Sequence, residues 1–115
     1  MTAPHDAPTA AELVEAVREF LERDVMPAVD GQVRFHARVA ARVLAMVERE
    51  LALGPGQATE HAARLEALGV SDEAELATAI RSGAMDGRLG EVVAAIRETV
   101  WAKLAVADPG YADRP

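Results

Sequence analysis

The chain has 115 residues and a formal net charge of −7, from 12 Lys and Arg against 19 Asp and Glu. This length predicts one small domain, and the acidic balance argues against nucleic-acid binding, which requires clustered cations. The lack of cysteine excludes a disulfide framework and thiolate chemistry. Because the sequence has no long apolar run and no secretory signal, we expect a cytoplasmic protein without a membrane segment.

Apolar residues recur at helical spacing and predict an all-α fold, a single-domain bundle of about five helices over residues 9–108. Residues 1–8 are expected to form a disordered N-terminal tail and residues 109–115 a C-terminal tail. The first helix is predicted over residues 10–23, with a Thr9/Glu12 capping-box pattern at its start. Pro27 is expected to end it. Its predicted core face consists of Leu13, Val14, Val17, Phe20, Leu21 and Val25.

The second helix is predicted over residues 31–53. The stop signal is Leu53-Gly54-Pro55-Gly56, in which a glycine that can adopt left-handed dihedral angles precedes a proline. Two shorter helices are then predicted over residues 57–68 and 72–82. Gly69 and Gly83 are expected to close them.

The last helix is predicted over residues 88–106, and it and the second helix are expected at the centre of the bundle. Trp101 lies at the edge of its apolar stripe, either as part of the core or as an interface residue, a role for which tryptophan is enriched. Tyr111 follows Pro109 and is expected to fold back onto the bundle or onto a second chain. The stripe itself, expected to face the core, consists of Leu89, Val93, Ile96, Val100 and Leu104.

The sequence contains few patterns that carry catalytic chemistry. No two of its three histidines lie at metal-ligand spacing, and the glycine-rich nucleotide motifs are absent. We therefore predict no metal, no cofactor and no enzymatic activity. A helical projection turns His36 into the bundle, either as a hydrogen-bonded core histidine or as a general base or partner-facing switch. Catalysis by His36 with Glu50 is the least favoured hypothesis, because roughly 21 Å of helix separates them.

Four arginines lie on one side of the second predicted helix, within an arc of roughly 80°. This ridge either pairs with the acidic side of the first helix and is otherwise solvated, or binds an anion or an acidic partner. The ridge consists of Arg34, Arg38, Arg42 and Arg49. The candidate residues for ligand or partner binding are Arg34, Phe35, His36, Arg38, Arg42 and Trp101.

Three parts of the sequence stand out together: PTAAEL at residues 8–13, RFHARVAA at 34–41 with VEREL at 47–51, and KLAV at 103–106 with Pro109 and Tyr111. They resemble a bacterial family of small helical proteins of unknown function. Members are typically encoded beside aminoglycoside-phosphotransferase-like kinases and acyl-CoA dehydrogenases.

The resemblance implies a cytoplasmic protein associated with acyl-CoA catabolism, and it implies no activity. The first hypothesis is an interaction protein, an accessory subunit that binds a kinase-like protein or an acyl-CoA dehydrogenase, or that forms a homodimer. The alternative is a small-ligand module that holds an acyl-CoA or another phosphorylated metabolite on the arginine ridge. Arg42 stands where the family pattern has asparagine, so the full ridge is a feature of this chain.

Overall fold

The structure, a computed structural model, describes residues 7–111, and all regular elements in that part of the chain are helical. The predicted all-α class is confirmed, but the number of five helices is wrong, because residues 7–111 form four α-helices. Of the tails predicted at residues 1–8 and 109–115, residues 1–6 and 112–115 lie outside this described range. The helices are α1 (Ala10–Phe20), α2 (Gly31–Ala67), α3 (Glu73–Arg81) and α4 (Leu89–Ala107).

The break predicted at Pro55 is wrong, because α2 continues through this residue. Proline lacks the amide hydrogen that bonds the carbonyl four residues back, so one helical hydrogen bond is lost. The following turn makes two side-chain contacts. The Thr59 hydroxyl donates to the Pro55 carbonyl at 3.2 Å, and Gln57 Nε2 donates to the carbonyl of Ala102 at 2.9 Å. The second and third predicted helices are therefore one.

The chain divides into two compact units, Met1–Leu53 and Gly54–Pro115. The boundary falls beside Pro55, where the sequence predicted a helix end. A single domain over residues 9–108 stays a prediction.

The first unit contains α1, a π-helical turn over Leu21–Val25, a 3-10 turn over Met26–Ala28 and the first part of α2. The predicted capping box is confirmed: the Thr9 hydroxyl accepts the Glu12 amide at 3.1 Å, and the Glu12 carboxylate accepts the Thr9 amide at 3.0 Å. Helical turns continue past Pro27 to Ala28, so that proline does not end them.

The second unit contains the rest of α2, α3, a 3-10 turn over Asp86–Arg88 and α4. Its glycines close helices as predicted. Gly69 has φ +79°, and the chain then turns back so that the Val70 amide donates to the Leu65 carbonyl at 3.1 Å. Gly83, with φ +85°, closes α3 in the same way. The buried cluster of this unit consists of Leu65, Leu68, Val70, Leu76, Met85 and Val92.

One arginine fastens the end of α2 to the start of α4. Arg88 donates to the carbonyl oxygens of Ala67 at 2.9 Å and Leu68 at 3.2 Å, and to the Glu91 carboxylate at 2.7 Å. A cation at a helix C-terminus also complements the partial negative charge of its free carbonyls. Arg88 therefore stabilises the frame around the buried cluster.

The predicted burial of two apolar helix faces is wrong. On α1, the side chains at the centre of the predicted core face are more than half exposed. On α4, only Leu104 of the predicted stripe is not exposed. Helical periodicity identifies an apolar face but does not show what covers it. The exposed residues are Leu13, Val17 and Phe20 on α1 and Leu89, Val93, Ile96 and Val100 on α4.

Candidate functional site

The arginine ridge lies on the first part of α2 and is solvated over most of its length. Arg34, Arg38 and Arg42 are exposed, and within residues 7–111 they make no ion pair. The ion pair that joins α1 to α2 has the opposite polarity: Arg18 of α1 binds the carboxylate of Glu48. Within the described range, Arg34, Arg38 and Arg42 therefore take no part in the predicted pairing of the ridge with the acidic side of α1.

His36 is exposed, so the predicted inward orientation is wrong. The helical projection placed it among apolar neighbours, but those neighbours are themselves on the surface, as the 58% exposure of Phe35 shows. The rings of Phe35 and His36 lie 5.7 Å apart, tilted by 57°. These two side chains and the three exposed arginines all face solvent on the first part of α2.

Carboxylates crowd the surface of α1. The nearby carboxyl of Glu19, through a shared hydrogen bond and charge repulsion, raises the pKa of Glu15. The carboxylate of Glu48 raises the pKa of the Arg18 guanidinium, with a further contribution from Glu22. The first unit thus presents acidic side chains on α1 and a basic ridge on α2.

Trp101, the candidate in the second unit, is 42% exposed. It lines a shallow depression of about 380 Å³ together with Leu104 and Tyr111. Tyr111 therefore lies against α4, which is the first of its two predicted positions, and its amide donates to the Asp108 carbonyl at 3.0 Å. The other lining residues of this depression are Val93, Ile96, Arg97 and Val100.

A second concavity, of about 280 Å³, lies within the second unit between α2, α3 and α4. We call it the α2–α4 cavity. Three buried leucines, Leu65, Leu68 and Leu76, contribute to its apolar wall. The polar residues that line it are His61, Arg64, Glu73, Thr99 and Lys103, and the other apolar ones are Ala77, Ile80, Ala95, Ile96 and Val100.

Four of the five polar side chains of the α2–α4 cavity form one connected group. His61 Nε2 lies 3.1 Å from Glu73 Oε1, and its Nδ1 lies 3.3 Å from the Thr99 hydroxyl. Arg64 donates to the same hydroxyl at 3.5 Å. Arg64 Nε is buried without a hydrogen-bond partner. It is the one buried side-chain nitrogen or oxygen atom of residues 7–111 that lacks a partner.

Sequence reasoning missed this group because its contacts are distant along the chain. His61 and Thr99 are separated by 38 residues, and Arg64 and Thr99 by 35. The available signal was weak: His61 and Arg64 share one face of α2 at i, i+3, and Thr99 and Lys103 share one face of α4 at i, i+4.

The carboxylate–imidazole–hydroxyl order of Glu73, His61 and Thr99 resembles the order of groups in a hydrolase triad. The hydroxyl of Thr99 also lies 3.2 Å from the Ala95 carbonyl of its own helix, as in ordinary helical threonines. The contacts therefore serve equally well to hold α2, α3 and α4 together. Among residues 7–111, no three His, Cys, Asp or Glu side chains form a group that could hold a metal ion.

The profile of a domain of unknown function, DUF6285, matches residues 27–111. The chain belongs to the DUF6285 family. The matched range includes the arginine ridge and the α2–α4 cavity of this DUF6285 protein, whereas α1 precedes it. Searches of curated proteins and of solved structures found no match. None of the helices described in residues 7–111 has the length and apolar composition needed to cross a membrane.

Proposed function

We propose that this DUF6285 protein is a non-catalytic accessory protein that binds a protein partner through the apolar face of α4. The observation that carries the proposal is the exposure of four large side chains, between 42% and 53% each. Apolar residues scattered singly on a surface need no explanation, whereas a contiguous exposed patch marks an interaction surface. We call these residues the α4 stripe: Leu89, Val93, Ile96 and Val100.

The size of this surface supports the proposal. Trp101 and Tyr111, 42% and 50% exposed, extend the α4 stripe. With them, the stripe offers on the order of 500 Å² of apolar surface, taking half of each side chain. A standard interface buries about 800 Å² on each partner, with an apolar centre and a polar rim. The stripe is therefore large enough for the centre of an interface, and Arg97 lies beside it for the rim.

The sequence resemblance supports a choice of partner. It makes a kinase-like protein or an acyl-CoA dehydrogenase the first candidate, with a role in acyl-CoA catabolism in the cytoplasm. A homodimer is the other form of the proposal. Two copies would each carry a net charge of −7, and their repulsion favours a different, less acidic protein.

The test is co-purification of the full chain with each candidate partner, together with light scattering of the chain alone. Val93→Glu places a charge in the α4 stripe, and we expect it to abolish the complex. Ala94→Glu is the matched control, because Ala94 is also exposed on α4 but points about 100° away. Equal binding of the partner by both variants contradicts the proposal. So does a chain that light scattering shows to be monomeric and that co-purifies with neither candidate partner.

A second candidate function is a small-ligand module for an acyl-CoA or another phosphorylated metabolite. The observation that favours it is the ridge of Arg34, Arg38 and Arg42, which is exposed and makes no ion pair within residues 7–111. Guanidinium groups bind phosphate through paired hydrogen bonds. Calorimetric titration with an acyl-CoA should give binding that Arg38→Ala weakens; absence of heat refutes this function.

A further inference from the structure

We propose that the α2–α4 cavity is a binding site for a small monocarboxylate with an unbranched apolar tail. The carboxylate binds Arg64, and the tail lies against the leucines of the wall. This site is distinct from the arginine ridge, and it shares only Ile96 and Val100 with the α4 stripe.

The charge of the polar side favours an anion. Arg64 and Lys103 contribute two cationic groups, and the one carboxylate of the lining, Glu73, is already bound to His61 at 3.1 Å. A ligand with a positive head would meet an excess of like charge. A ligand with one negative head instead meets the two cationic groups. No carboxylate of the lining lies within ion-pair distance of either one.

One buried donor of Arg64, its Nε, also lacks an acceptor among the described residues. The hydrogen bond that Arg64 donates to the Thr99 hydroxyl is long, at 3.5 Å. Buried polar groups in native proteins nearly always have a hydrogen-bond partner, so one that does not calls for an explanation. A guanidinium presents its donors in a planar fork that matches the two oxygens of a carboxylate. A bound carboxylate therefore satisfies the one buried donor that the described protein groups leave open.

The volume limits the rest of the ligand. Sites for drug-sized ligands and cofactors occupy about 300–1,000 Å³, and this cavity holds about 280 Å³. It therefore lies at the small end of such sites, and its volume fits a medium-length acyl chain. Eight of its lining residues are apolar, which fits such a chain and not a sugar or a second charged group.

The test uses the full chain labelled with nitrogen-15 and three probes with the same tail: octanoate, octylamine and octanol. Octanoate should shift the amide signals of cavity residues, such as Leu76 and Thr99, in a saturable manner. Octylamine should produce no such shifts, and octanol should bind at least about tenfold more weakly than octanoate, since it lacks the charged head.

Two variants complete the experiment. Arg64→Met keeps an apolar stem and should weaken octanoate at least about tenfold, whereas Arg81→Met, at an exposed arginine outside the cavity, should leave its affinity unchanged. The proposal is wrong if octanoate gives no saturable shifts, if octylamine binds equally well, or if Arg64→Met binds like the wild type. If Arg64→Met does not fold, the three-probe comparison on the wild type decides.

The outcome is separable from that of the protein-binding test. Val93 lies outside the cavity lining, so Val93→Glu should bind octanoate like the wild type. Loss of partner binding with retained octanoate binding shows that the cavity binds its ligand without the protein partner.

Discussion

Two leucine-to-alanine substitutions in the second unit should have very different effects on stability. Leu68 belongs to the buried cluster and is 4% exposed, whereas Leu89 lies on the α4 stripe and is 52% exposed. The chemical change is the same in both. The backbone contact of Leu68 with Arg88 involves its carbonyl oxygen, so the substitution leaves that contact in place. The difference between the two variants in free energy of unfolding therefore reports how deeply each leucine is buried.

The expected magnitudes follow from the exposed fractions. Each buried methylene contributes about 0.8 kcal/mol, so Leu68→Ala loses about 2.4 kcal/mol of transfer free energy. The cavity left in a close-packed cluster adds to this, for a total of about 3 kcal/mol. Leu89→Ala loses about half the transfer term, roughly 1 kcal/mol, and leaves no cavity. Because small domains are stable by only about 5–15 kcal/mol, the first loss is easily detected.

Urea unfolding followed by circular dichroism, at two protein concentrations, measures both free energies of unfolding. If Leu89→Ala costs as much as Leu68→Ala in dilute protein, the exposure of the α4 stripe in the single chain is refuted. If the cost of Leu89→Ala increases with protein concentration, a second copy covers the stripe.

Two further predictions concern the backbone and pH. Gly69→Ala should destabilise the protein by about 1 kcal/mol, because φ is +79° there. Gly90→Ala, inside α4 with open space around it, should stabilise the protein by about 0.5–1 kcal/mol. If thermal unfolding shows that both substitutions change stability in the same direction, this pair of predictions is wrong. Hydrogen bonds from Thr9 lower the pKa of Glu12 below 4.5. The stability that Glu12 contributes through the capping box should therefore be fully present above pH 4.5. It should be lost as the pH falls through the lower pKa that Glu12 has in the folded protein. An NMR titration midpoint for Glu12 at or above pH 4.5 refutes this prediction.

Local chemistry was predictable from the sequence. The Thr9/Glu12 capping box and the glycine ends at Gly69 and Gly83 depend on residues a few positions apart, and the structure confirms them. The stop at Pro55 is a local signal of the same kind, yet α2 passes through it. Just after Pro55, Gln57 donates a hydrogen bond to Ala102, 45 residues away. A contact between such distant residues cannot be predicted from the local sequence pattern.

The candidate site was less predictable, because it depends on burial and on distant contacts. His36 was placed inward on the evidence of an apolar arc, but Phe35 and Val39 of that arc are exposed. His61 showed no metal-ligand spacing in the sequence, and only folding brings it to Thr99. Periodicity identifies which side of a helix is apolar, whereas a cavity depends on which helices meet.

The buried cluster of the second unit has a consequence for the order of events during synthesis. All its members come from residues 65–92, a short stretch of chain. Loop closure is less costly for short spans, and proteins rich in local contacts fold quickly. The cluster can therefore assemble as soon as Val92 has emerged from the ribosome. Val100 and Trp101 follow later, so the nascent chain can complete this buried cluster before the exposed apolar surface of α4 is fully made.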